Sequence, residues 1–149
     1  MAVNDKYRLL INKLYKTTGT LNPFAIAEMM GIDIKYVPFL ANPEGQYLKM
    51  FDEPIILLNE KYEEHNHRYF LVAHELHHAI EHKELSGYYV QNNVTRGKLE
   101  NEANAFAAAL LVWYYAELND QLPRSTKELE LEFGFPEDLS EEYLTERIY

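Results

Sequence analysis

Residues 68–82 read Arg68-Tyr69-Phe70-Leu71-Val72-Ala73-His74-Glu75-Leu76-His77-His78-Ala79-Ile80-Glu81-His82, and the rest of the chain is read outward from this run. It sits within a helical pattern extending from about Glu63 to Lys83. At about 100° per residue, Leu71, His74, Glu75, His78 and His82 share one sector, while Tyr69, Val72, Ala73, Leu76, Ala79 and Ile80 occupy the opposite one. The helix therefore has an apolar side for a core and a separate polar side. His74 and His78 lie one turn apart on one face. At that spacing two imidazoles can hold one zinc ion, and Glu75 can reach a water on it. Neutral nitrogen ligands, a cation that brings the pKa of water down to about 7, and a carboxylate to take the proton make up zinc peptidase chemistry. The plainer alternative is a solvated helix face that happens to carry histidines.

A catalytic zinc usually takes three protein ligands and leaves one position for water. A second helical pattern, Lys98 to about Leu118, carries an apolar stripe of Leu99, Ala103, Phe106, Ala107, Leu110, Trp113 and Tyr114. Glu102 falls inside that stripe and Glu100 at its edge. A carboxylate facing a core is costly unless it meets a cation. Glu102 is therefore the expected third ligand, with a pairing to Arg or Lys, or a place at a frayed edge, as the alternative.

Two segments carry a family resemblance. Arg68 to His82 resembles the R-x-F-x-x-A-H-E-L-G-H-x-x-x-H stretch of the ImmA/IrrE family of metallopeptidases, and Glu100-Asn-Glu-Ala-Asn-Ala-Phe-Ala-Ala-Ala-Leu-Leu111 resembles that family's E-x-E-A-N-x-F-A-A-x-L-L segment, in the same order and spacing. Weaker likeness extends to Ile26–Ile32, Pro54–Glu60 and Phe133–Pro136. The resemblance implies a zincin-like domain of gluzincin type. It also implies zinc held by His74, His78 and Glu102, with Glu75 as general base. Such proteins often accompany a helix-turn-helix repressor in phages and mobile elements, so the implied activity is a zinc endopeptidase that cleaves a repressor. The alternative is a non-proteolytic antirepressor that sequesters its partner on the same scaffold. Two departures stand out: His77 replaces the family's Gly, where it would crowd the cleft or add a ligand, and Val112-Trp113 replaces its Met-Pro.

Composition agrees with one domain spanning 1–149. The chain has 149 residues, 47% hydrophobic and 13% aromatic, enough for a substantial core. A net charge of −10 argues against a broad nucleic-acid-binding surface and suits a basic protein partner. There is no Cys, hence neither a disulfide frame nor a thiol site. Asn4, Asp5, Lys6 and Arg8 interrupt any secretory signal in Met1–Leu14, and no apolar run approaches the roughly 20 residues that span a bilayer. The expected location is the cytoplasm, away from membranes.

The remaining pattern predicts an α+β fold, mainly helical, with a small three-stranded and mostly antiparallel sheet. Asp5–Lys16 reads as an amphipathic helix, and a second starts at Asn22-Pro23 and closes near Gly31. Asp33–Phe39, Gln46–Phe51 and Ile55–Leu58 read as strands, with turns at 41–45 and Asp52–Pro54. Either of the last two strands, as a free edge, could take an extended substrate as one more strand, or simply floor the core. In the loop from Glu84 to Gly97, Tyr88 and Tyr89 are candidates, with His82, to donate a hydrogen bond to the oxyanion of peptide hydrolysis. His65 and His67 read as surface or capping residues. Ser125-Thr-Lys-Glu128 reads as a capping box whose helix Gly134 closes, and Ser140 as the start of a last helix.

Overall fold

A computed structural model of the protein describes residues 2–38, 40, 44–81 and 93–144, with side chains from 6, and from 96 in the last segment. Among them are six helices and three strands, in the order α1 (Ala2–Thr18), α2 (Pro23–Met29), β1 (Asp33–Val37), β2 (Gly45–Met50), β3 (Glu53–Asn59), α3 (His67–Glu81), α4 (Asn93–Asn119), α5 (Thr126–Phe133) and α6 (Glu137–Tyr143). The fold is the expected α+β one, helices dominating a small sheet.

Local chemistry sets most of the boundaries. The Asn22 side chain accepts from the Phe24 N–H at 2.9 Å and Pro23 takes the first helical position, so α2 starts where the sequence predicts. Gly134, at φ 61°, closes α5 in the left-handed conformation, and its backbone passes so close to α3 that an added Cβ would lie 2.3 Å from the His67 Cα. At the other end of α5 the Ser125 side chain makes no capping bond; Glu128 reaches back instead and accepts from the Arg124 N–H at 2.7 Å. The last helix starts at Glu137 rather than Ser140. Ser140 lies inside it, buried, and its hydroxyl donates to the Pro136 carbonyl at 3.1 Å.

The sheet has strand order β1-β3-β2. β2 pairs antiparallel with β3, and β1 pairs parallel with it, so the sheet is mixed where a mostly antiparallel one was expected. The chain passes from β1 to one side, turns back through β2, and only then fills the centre. Ile55–Leu58 is thereby excluded as a free edge, and β2 is left as one. Pro54, near the start of β3, stands opposite Lys49 in the pairing that makes no ladder bonds, where a missing N–H costs nothing.

α3 lies across the sheet and packs on α4, and α4 is in turn contacted by α1, α5 and α6. Val72 and Leu76 of α3, Ile56 and Leu58 of β3, and Phe106 and Leu110 of α4 are fully buried where these layers meet. Every residue of α4 from Phe106 to Val112 is buried. Alanines at 107, 108 and 109 let its neighbours approach closely on more than one side.

Candidate active site

The polar side of α3 opens toward α4. His74 and Glu75 are buried and His78 partly so, with the two imidazole centroids 5.0 Å apart. His74, Glu75 and His78 can each place a ligand atom within 4.8 Å of the others. Both histidines turn Nε2 toward one carboxylate of α4. That carboxylate belongs to Glu100: Oε2 lies 2.9 Å from His74 Nε2, and Oε1 lies 2.9 Å from His78 Nε2.

Glu102 faces elsewhere. Its Oε2 is 3.3 Å from Lys6 Nζ on α1, the pairing with a cation named above as the alternative to a ligand role. The single apolar stripe misled because α4 is packed on several sides. The side carrying Glu102 and Phe106 meets α1, while Glu100 and Asn104 meet α3. Trp113, assigned to the stripe, is 44% exposed. Glu100 sat at the stripe's edge, and Asn104, four residues on, shares its face; that spacing was the signal available.

Asn104 completes the arrangement. Its Oδ1 is 2.8 Å from His74 Nδ1, so the ring donates there and Nε2 is left for the cleft. The Asn104 amide also donates to the Tyr143 hydroxyl, which in turn donates to Asn101 Oδ1 at 2.8 Å. The amide is thus held with its oxygen toward His74.

The electrostatics follow from these contacts. Burial pushes the Glu100 carboxyl up, but hydrogen bonds and charge from His74 and His78 outweigh it and hold the group well below the usual carboxylate range. Burial opposes the charged form of His74, yet the bond to Glu100 and the charge of Glu75 raise its pKa. His74 faces an acceptor at each ring nitrogen. At Nδ1 the ring proton meets Asn104. At Nε2, where His78 Nε2 and both Glu100 oxygens also converge, one divalent cation would satisfy all three side chains, and the donor set of two imidazoles and a carboxylate fits zinc.

Glu75 is fixed from the sheet side. Its Oε1 accepts from the Tyr47 N–H at 2.8 Å, while Oε2 lies 3.9 Å from His74 Nε2. The ladder explains why this N–H is available. Asn59 N–H bonds the Glu44 carbonyl at 3.0 Å, so alternation makes Gln46, Leu48 and Met50 the ladder-bonded residues of β2. The amides of Gly45, Tyr47 and Lys49 turn outward. At Gly45 an added Cβ would crowd Leu58 Cδ2 at 3.1 Å, while Glu75 Cγ would lie at an ordinary contact distance of 3.7 Å. No side-chain pattern signals a main-chain partner of this kind.

His77 does not enter the cleft. It is buried between the rings of Tyr7, 5.5 Å away edge-on, and Phe106, 5.0 Å away. His65 caps α3, its Nδ1 accepting from the His67 N–H at 3.1 Å. His82, Tyr88 and Tyr89 lie outside the described residues.

The model of the IrrE N-terminal-like domain matches residues 27–144. The chain belongs to the ImmA/IrrE family. Metallopeptidase ImmA of Bacillus subtilis (strain 168) is 34% identical to it over 121 residues, a stretch covering 76% of this chain and 66% of that protein. The aligned stretch falls just short of two thirds of that relative's length, and in this chain the His74–Glu75–His78 cluster is where a metal ion could be held. Both resembling segments, 68–82 and 100–111, fall inside the stretch matched to the ImmA/IrrE family, and α1 precedes it.

Proposed function

We propose that the protein is a zinc-dependent endopeptidase with His74, His78 and Glu100 as metal ligands and Glu75 as general base. The observation that carries this reading is the convergence of both Nε2 atoms on one carboxylate, each at 2.9 Å, beside a second carboxylate held apart by a backbone amide. Glu75 is assigned the base rather than a ligand role because its Oε1 is already engaged by Tyr47 and its Oε2 stays 3.9 Å from His74 Nε2. Bound zinc supplies a Lewis acid that polarises the scissile carbonyl and acidifies the attacking water. Asn104 keeps His74 in the tautomer that offers Nε2. Glu75 Oε2 takes the proton of the water and delivers it to the leaving amine, while the Tyr47 N–H keeps the carboxylate aimed. The free edge of β2, with the outward amides of Gly45 and Lys49, supports an extended polypeptide as substrate.

The substrate proposed is a helix-turn-helix transcriptional repressor, following the family resemblance, and the site of action is the cytoplasm. No described helix is long and apolar enough to cross a membrane. The reading of a non-cleaving antirepressor drew on His77 and Trp113; His77 is packed in the core rather than the cleft, while Trp113 remains exposed on α4. The experiment is incubation of the zinc-loaded protein with helix-turn-helix repressors of its own host or mobile element. Wild type yields discrete fragments, and a chelator stops the cut. Glu75→Gln keeps its metal and loses about 10²- to 10⁴-fold in rate. Repressor inactivation that persists undiminished in Glu75→Gln would exclude cleavage as the mechanism.

A further inference from the structure

α1 reaches the rear of the metal site at one residue. Tyr7 is 4% exposed and touches both helices that carry the proposed ligands. Its ring lies edge-on to His77, 5.5 Å between centroids, and His77 is next to His78 on α3. The same ring meets Phe106 of α4 at 5.8 Å, and its hydroxyl donates to the Glu102 carbonyl at 3.1 Å, two residues beyond Glu100. Lys6, the preceding residue, pairs with the Glu102 carboxylate at 3.3 Å. His77 and Phe106 also pack on one another at 5.0 Å, which closes a three-ring cluster.

The two sides of α3 and α4 are thereby linked. On α3, adjacent residues point to opposite purposes: His78 to Glu100, His77 to Tyr7. On α4, Glu100 faces the imidazoles while Glu102, roughly 200° round the helix, faces α1. A metal site tolerates ligand distances within about 0.2 Å, so the spacing and rotation of the two helices at this level decide whether one ion can satisfy all three ligands. Resting on the zinc reading above, we infer that Tyr7 is a positioning residue for the metal site: it sets the separation of α3 and α4 at the level of His78 and Glu100, from a helix that precedes the segment matched to the family. It touches neither metal nor substrate.

The test is zinc affinity, measured with zinc alone by competition against a chromophoric chelator, beside thermal unfolding of the metal-free proteins. Four variants accompany wild type. Glu100→Gln removes a ligand. Tyr7→Ala removes the spacer, and Tyr7→Phe keeps the ring but loses the bond to the Glu102 carbonyl. Leu14→Ala empties a buried position two turns further along α1. The expected result is one zinc per chain in wild type, at least tenfold weaker binding in Tyr7→Ala, partial recovery in Tyr7→Phe, and near-wild-type affinity in Leu14→Ala despite a comparable fall in unfolding temperature. Unchanged affinity in Tyr7→Ala would overturn the inference, as would an equal loss in Leu14→Ala, which would mark general loosening. Wild type that binds no zinc, or binds it no better than Glu100→Gln, would instead remove the metal assignment on which the inference rests.

Discussion

His74 is held between two acceptors, Asn104 and Glu100, and its usefulness depends on which nitrogen keeps the proton. A ligand whose second nitrogen is fixed by a neighbour is both oriented and more basic, and loss of such a neighbour typically costs 10- to 100-fold in metal affinity. Asn104→Ala is therefore expected to weaken zinc binding by about that factor, read by chelator competition. The two carboxylates of α4 separate just as sharply. Glu100→Gln is expected to lose the metal, because a neutral amide is a much poorer zinc ligand than a carboxylate and brings no charge to offset the cation. Glu102→Gln is expected to keep it and to weaken the pairing with Lys6, whose side chain is 57% exposed, a loss of less than about 1 kcal/mol. Metal content by atomic absorption distinguishes these outcomes. If Glu102→Gln is the variant that comes out empty, the ligand assignment is wrong. In the sequence only the i, i+4 spacing of Glu100 and Asn104 marks Glu100 off from Glu102, and the stripe position that favoured Glu102 is decided by which helix packs on that side.

At the scale of elements, the β2–β3 hairpin carries both strain and access. Its two-residue turn is Phe51-Asp52, with φ of 53° and 67°, where Asn-Gly would be the usual choice. Phe51 is 96% exposed, so no packing offsets a left-handed backbone at a bulky residue. Phe51→Asn is predicted to stabilise the protein by about 1 kcal/mol, a rise of roughly 3 °C in Tm. The junction of α5 with α3 behaves oppositely. Gly134→Ala adds a Cβ 2.3 Å from the His67 Cα at φ 61° and is expected to cost more than about 2 kcal/mol, measured by chemical denaturation. Gly134 was legible as a helix stop because a closing glycine is local chemistry. The sequence places the turn at Asp52–Pro54 and reads Pro54 as an edge or a strand start; Pro54 is the second residue of β3, and the partner strand shows that its position needs no donor.

The whole molecule is tied together beneath the site by one carboxylate. Glu44, just before β2, accepts from the Tyr62 hydroxyl and faces His67 Nε2 at 3.0 Å, and His67 Nδ1 donates to the Gly134 carbonyl at 2.7 Å. The start of the edge strand, the turn after β3, the first turn of α3 and the end of α5 thus share one network. Burial pushes the Glu44 carboxyl up, but its bonds with Tyr62 and His67 win and lower its pKa. Tyr62, desolvated and bonded to Glu44, is pushed up to about 12. A carboxyl whose folded pKa is depressed contributes stability above its unfolded pKa, near 4.3, and loses it as pH falls through the folded value. The raised Tyr62 contributes below about 10 and loses its share as pH rises toward 12. Glu44→Gln should therefore lower Tm modestly at pH 7, since the group is partly exposed and screened, with the difference from wild type closing below about pH 4. A gap that stays constant from pH 7 to pH 3 would contradict a lowered pKa for Glu44. His65 and His67 were read as surface or capping residues; His67's reach to Glu44 and Gly134 spans sequence separations of 23 and 67 residues, which no local pattern reports.

By itself the sequence determined that one helix carries His74, Glu75 and His78 on a polar side, because residues one turn apart share a face whatever surrounds them. It likewise determined the helical majority, the three strands and the glycine closing α5, all consequences of short-range backbone preference. The tertiary structure alone decided which carboxylate meets the imidazoles, which strand remains a free edge, and which main-chain amide holds Glu75. Glu100 and Glu102 differ by a rotation of roughly 200° about the axis of α4, and that rotation is set by α1 pressing on one side and α3 on the other.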